Sequence, residues 1–135
     1  MQLEAPATAP FSGLFAAGRV NVLVFWTQDC PHCRKSLPAI EAWYREHPDG
    51  VNVVTIAQVS GETGRVRTEE YIRRENLALP TFFDQDFEIG RKYLITSTPT
   101  VFVIRPDGVI DSVLLSGEAD YGAVFEAKTK QILKL

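Results

Sequence analysis

The run Val20-Asn21-Val22-Leu23-Val24-Phe25-Trp26 limits the possible folds of this chain more than any other stretch. It is almost wholly apolar, rich in β-branched and aromatic residues, and shows no alternation of apolar with polar. That pattern belongs to a strand buried on both faces, at the centre of a sheet with cover on either side. Three polar residues follow, Thr27-Gln28-Asp29, and then Cys30-Pro31. Proline suits the first turn of a helix, where its missing N–H would lack an intrahelical partner in any case. Leu37, Ile40 and Tyr44 recur at helical spacing to about Glu46, and His47-Pro48-Asp49-Gly50 ends the helix. Cys30 and Cys33 are thereby placed at a strand-to-helix junction.

The rest of the chain repeats this alternation. Val51–Val59 reads as a second buried strand, Ser60–Gly64 as a loop, and Arg65–Asn76 as a charged helix. Strand, helix and strand in succession imply parallel pairing through right-handed crossovers. Leu79–Asp84 is a short extended piece, and Phe87–Tyr93 a short helix. Thr100–Ile104 and Val109–Leu115 flank Arg105-Pro106-Asp107-Gly108, whose Pro-Asp-Gly chemistry is that of a hairpin turn, so this pair is antiparallel. Asp120–Leu135 closes the chain as a helix. Phe11–Gly18 is compatible with a short helix stopped by Gly18, and residues 1–10, rich in Pro, Ala and Thr, read as a linker or trimmed mature end. The expected fold class is α/β, with a central mixed β-sheet flanked by helices on both faces, in one domain over residues 11–135.

Composition removes several classes of function. The 17 acidic and 14 basic residues are scattered and leave a net charge of −3, so there is no basic stripe for nucleic acid. The apolar runs fall far short of the roughly 20 residues that a membrane helix needs. The first residues carry neither a basic nor an apolar segment of the kind that makes a secretory signal, so any membrane association is expected only through an anchor outside this sequence. Two cysteines separated by two residues do not make a stabilising disulfide framework.

The same two cysteines are the candidate reactive groups. At a helix start, unpaired backbone N–H groups and the helix dipole favour a thiolate, which makes Cys30 the nucleophile. Cys33, one turn further in, is more shielded and placed to attack a mixed disulfide on Cys30. His32, between them, adds positive character that favours the Cys30 thiolate. Three structural readings compete. A zinc site wants four ligands, and only His32 and His47 remain as typical partners. A c-type haem needs His directly after the second Cys, where Arg34 stands. An inert disulfide gains nothing from a helix-start position. The charged pairs Glu69-Glu70 and Arg73-Arg74 read as a solvated helix face.

The run from Val22 to Pro38, with Trp26-Thr27-Gln28-Asp29-Cys30-Pro31-His32-Cys33 at its centre, resembles the thioredoxin superfamily and, within it, the TlpA/ResA-like periplasmic branch. Pro38 matches the helix-kinking proline five residues beyond the second cysteine. Leu79–Asp84, Tyr93–Ile104 and Asp107-Gly108 are similar to the same branch, and the likeness runs in order over roughly Val20 to Leu115. The resemblance implies a thioredoxin-like fold with Thr98-Pro99 as a cis bond beside the cysteines, although cis bonds are only about 5–6% of X-Pro bonds. It further implies that the backbone before Pro99 pairs with substrate, that Thr98 tunes redox behaviour and specificity, and that Trp26 packs by the active-site loop or serves the core.

The activity so implied is thiol-disulfide exchange with protein thiols and disulfides by Cys30 and Cys33, tuned by Pro31 and His32. It requires an upstream redox partner, no cofactor beyond the Cys30-Cys33 disulfide and no metal. A monomer in a bacterial periplasm or cell envelope is the expected setting, with the cytoplasm as the alternative. Other expectations of a different kind are a thiol peroxidase, since Thr27 stands three residues before Cys30, and a non-catalytic module docking a peptide at Thr98-Pro99. Three features depart from the family pattern. Val24 stands where thioredoxin has a buried Asp, and Ser36 where this branch commonly has Glu, so neither usual base for Cys33 is present. The Pro-His dipeptide is that of the oxidant DsbA, whose inserted helical domain is absent.

Overall fold

The computed structural model describes residues 18–46, 50–115 and 121–133. The linker at residues 1–10, the possible helix before Gly18, the His47-Pro48-Asp49 stop and the outermost residues of the last helix lie outside the described residues. In chain order the elements are β1 (Val20–Trp26), α1 (Pro31–Glu46), β2 (Val51–Val59), α2 (Gly61–Arg74), β3 (Thr81–Gln85), α3 (Glu88–Lys92), β4 (Thr100–Ile104), β5 (Ile110–Leu114) and α4 (Tyr121–Leu133). The five strands form one mixed sheet in the order β3-β2-β1-β4-β5. β1 pairs parallel with β2 and antiparallel with β4, while β3 runs parallel to β2 and β5 antiparallel to β4.

Every residue of β1 is buried, because the strand is central and covered on both faces. Val20, Val22, Val24 and Trp26 point into a core shared with Leu37 and Ile40 of α1, Tyr71 of α2 and Phe125 of α4. Leu23 and Phe25 point the other way, against Tyr93 and Phe102, with Ile89 of α3 alongside. The period-2 geometry of a strand splits the core into these two clusters. Each fully buried side chain contributes about 1.5–3 kcal/mol, so the sheet is anchored from both sides.

Most boundaries fall within two residues of the expectation, and the starts of α2 and β3 differ for reasons the contacts show. α2 begins at Gly61 rather than near Arg65. The glycines that read as a loop are part of its first turn: Gly61 at φ +62° donates to the Asp86 carboxylate at 3.0 Å, and the Gly64 N–H donates to the Ser60 carbonyl at 3.1 Å. β3 starts at Thr81 and not Leu79, because the N–H groups of Ala78 and Leu79 turn away from the sheet. Both donate to the Glu41 carboxylate of α1, at 2.5 and 3.0 Å.

Glu41 is only 8% exposed and also meets Arg45 at 2.9 Å. It ties the helix that carries the cysteines to the segment entering the edge strand. Removing it orphans two backbone donors, whereas Arg45 is largely solvated. We expect Glu41→Ala to cost about 2–4 kcal/mol in urea unfolding and Arg45→Ala about 0.5 kcal/mol or less.

Candidate active site

β1 delivers the chain to the C-terminal end of the central strand, and the loop Thr27-Gln28-Asp29 turns it into α1. The turn is closed by the Cys30 N–H donating to the Thr27 carbonyl at 3.3 Å. Arg34 braces it from within the helix, donating to the Gln28 carbonyl at 2.6 Å and to the Gln28 side chain at 3.3 Å. The Arg34 guanidinium also lies 5.2 Å from the centre of the Tyr71 ring, which links the turn to α2.

The two sulfurs sit in this frame as free thiols. Cys30 is 9% exposed and Cys33 fully buried, so Cys33 is the more shielded of the two. The Cys33 N–H donates to Cys30 Sγ at 3.2 Å, and Cys30 Sγ donates to the Thr98 carbonyl at 3.4 Å. The Thr98-Pro99 bond is cis. Pro99 is buried and Thr98 half-buried, so a segment 68 residues away in sequence faces the nucleophile through its backbone oxygen.

Pro31 and His32 are exposed on the first turn of α1. The His32 carbonyl accepts from the Ser36 hydroxyl at 2.7 Å, so Ser36 is bonded to its own helix. Trp26 is buried in the same core cluster as both cysteines, with its ring centre 5.8 Å from that of Tyr71. Its indole N–H has no hydrogen-bond partner among the described residues. Both structural readings of Trp26, core packing and proximity to the active-site loop, describe the same position.

Val24, where thioredoxin carries its acid, is buried in an apolar cluster. Burial, reinforced by the hydrogen bond to Cys30, pushes the Cys33 thiol up from 9.0 to about 12, while contacts with Thr27 and Thr98 oppose the shift in part. Sequence reading missed Glu41, Tyr71 and the bracing role of Arg34. Tyr71 and Thr68 are the buried residues of the otherwise polar α2, and that sparse apolar spacing was the available signal. Among the described residues no group of three or more His, Cys, Asp or Glu side chains is placed to hold a metal ion, and no helix is long and apolar enough to cross a membrane.

This architecture, with a cis-proline facing a helix-start Cys-x-x-Cys, is the thioredoxin-like fold. Residues 7–113 match the AhpC/TSA family, and the chain belongs to it. The chain is 35% identical over 95 residues to sporulation thiol-disulfide oxidoreductase A of Bacillus subtilis, covering 70% of this chain and 58% of that protein. It is 26% identical over 98 residues to the thiol-disulfide oxidoreductase ResA of Oceanobacillus iheyensis, covering 72% and 50%. It thus spans little more than half the length of these relatives. The crystal structure of StoA from Bacillus subtilis superposes with a TM-score of 0.69 at 28% identity, covering 88% of this chain and 83% of that one. A DsbE-like protein from Chlorobium tepidum shares the fold with a TM-score of 0.75 at 22% identity, covering 87% of this chain and 82% of that one.

The folded Cys33 keeps its proton to a higher pH than the unfolded chain does. Its contribution to stability is therefore full below pH 9.0 and is lost between 9.0 and about 12. Tyr93, pushed up from 10.0 to about 12 by burial, acts in the same direction at higher pH. The reduced protein should lose stability above pH 9 in urea titrations, and the reduced Cys33→Ser variant should lose less over the same range.

Proposed function

We propose that this protein is a thiol-disulfide oxidoreductase acting on protein thiols and disulfides, with Cys30 as nucleophile and Cys33 as resolving thiol. The observation that carries this reading is the position of Cys30 Sγ, at the start of α1, within 3.2 Å of the Cys33 N–H and 3.4 Å of the carbonyl before a cis-proline. When the pair is reduced, the Cys30 thiolate attacks one sulfur of a substrate disulfide; that S–S bond breaks and the departing sulfur takes up a proton. Cys33 then loses its proton and attacks Cys30, which frees the second substrate thiol and leaves the Cys30-Cys33 disulfide. Two electrons pass from the cysteine pair to the substrate, and the reverse sequence oxidises a substrate dithiol. A second thiol or disulfide partner returns the pair to its starting state. The cysteines are the redox group, and no other cofactor is required.

Pro31 and His32, exposed beside the nucleophile, tune the couple. The Thr98 backbone pairs with the substrate chain and Pro99 shapes that contact. Trp26 supports the loop from beneath. Cys33 must shed a proton that burial holds, so resolution is the pH-sensitive half of the cycle. An extracytoplasmic setting, the periplasm or cell envelope, fits relatives such as the soluble secreted antigen MPT53 of Mycobacterium tuberculosis, 27% identical over 100 residues. A monomer suffices for this chemistry, since both cysteines and the cis-proline come from one chain.

Exchange with a cysteine-containing peptide disulfide, followed by mass spectrometry, tests the reading. Cys30→Ser should abolish it, at a loss above a hundredfold. Cys33→Ser should accumulate a mixed disulfide on Cys30 that persists for lack of a resolving thiol. Exchange unchanged by Cys30→Ser would overturn the proposal, as would Cys30-dependent consumption of peroxide by a protein inert toward peptide disulfides.

A further inference from the structure

A cavity of about 250 Å³ opens beside the active-site turn, on the side away from Thr98-Pro99. Thr27 and Asp29 of the turn, Ser60, Thr63 and Arg67 of the α2 segment, and Phe87 are among the residues that line it. Its place follows from the sheet order: β1 has β4 and the cis-proline segment on one side, and β2 with its following helix on the other. Thr63 and Arg67 lie four residues apart in α2, which puts them on one helix face.

Three observations say what the cavity is suited to hold. Its lining is rich in polar residues, Thr27, Gln28, Ser60, Thr63 and Thr68 among them, while the amide of buried Gln58 is already engaged with Asp84 at 3.4 Å. The Arg67 guanidinium has no hydrogen-bond or ion-pair partner among the described residues, although Arg65 in the same helix pairs with Glu69 at 3.7 Å. Phe87, 40% exposed and at φ +61°, offers an apolar surface beside these donors. Asp29 brings the opposing charge; it is exposed, as are Ser60, Thr63 and Arg67. A carboxylate that reaches the α2 segment gains Arg67 and the hydroxyls of Ser60 and Thr63.

We propose that this cavity is a subsite for the protein substrate that receives an acidic side chain near the reacting cysteine, with Arg67 as the residue that sets the preference. The inference rests on the exchange activity proposed above. A substrate chain that pairs at Thr98 and presents its sulfur to Cys30 continues across the turn toward Thr27 and Asp29. At about 3.3 Å of extended chain per residue, only a few residues separate its cysteine from the cavity mouth. Arg67 touches neither sulfur and acts through substrate placement alone.

The experiment compares three peptide disulfides that differ only in carrying Glu, Gln or Lys near the cysteine, with neutral hydroxyethyl disulfide as a substrate too small to reach the cavity. The wild-type protein should prefer the Glu peptide over the Gln peptide by about three- to fivefold in kcat/KM at low salt, the scale of one partly exposed ion pair. The preference should lie in KM and shrink as salt rises. Arg67→Gln should bring the ratio to about 1, Arg67→Lys should restore most of it, and both variants should reduce hydroxyethyl disulfide at the wild-type rate. Equal rates for all three peptides with the wild type, or a ratio unchanged in Arg67→Gln, would overturn the subsite while leaving the exchange activity standing. A wild-type protein inert toward every disulfide would overturn both.

Discussion

Burial of β1 on both faces is the constraint from which the rest of the molecule follows. A strand with no solvent-facing side must be central, so it takes β2 on one side and β4 on the other and needs a layer of helix above and below. At its C-terminal end the chain leaves the core, and the polar turn Thr27-Gln28-Asp29 meets the start of α1 there. The cysteines sit beyond the end of the central strand, at a helix terminus, with the entry to β4 beside them. The position of the site is thus a consequence of how apolar surface is buried.

Much of this was legible in the residues. The strands β1, β2 and β4 were plain because their apolar runs are too short for buried helices and are bounded by turn-forming residues. The start of α1 was plain from Pro31, and the β4-β5 turn from Pro106-Asp107-Gly108. Less legible were features decided by contacts distant in sequence. Gly61 and Gly64 read as loop residues, yet Asp86, more than twenty positions away, accepts the Gly61 N–H and lets the helix begin there. Glu41 has no mark in the sequence that sets it apart from the other acids of the chain. Its burial depends on two N–H groups at Ala78 and Leu79 that no local pattern announces.

The candidate site divides in the same way. Cys30 and Cys33 declare themselves by spacing and position, and the contact of Thr98 with Cys30 entered through resemblance, because nothing local marks that threonine. The absence of an acid was visible at Val24 and Ser36. What the structure adds is its consequence: Cys33 is wholly enclosed, its proton is held by burial, and Ser36 is occupied with the backbone of its own helix. Arg34 and Tyr71 show how a charged neighbour and a helix from the crossover complete the enclosure.

The two core clusters on opposite faces of the sheet have unequal duties. One contains both sulfurs, Trp26 and Tyr71; the other, built on Leu23, Phe25, Tyr93 and Phe102, contains no reactive group. Drift of sequence on the second face changes how firmly the sheet is held and leaves the chemistry on the first face alone. The fold therefore gives a lineage of such proteins one side on which stability can be adjusted to a new habitat without renegotiating the reaction.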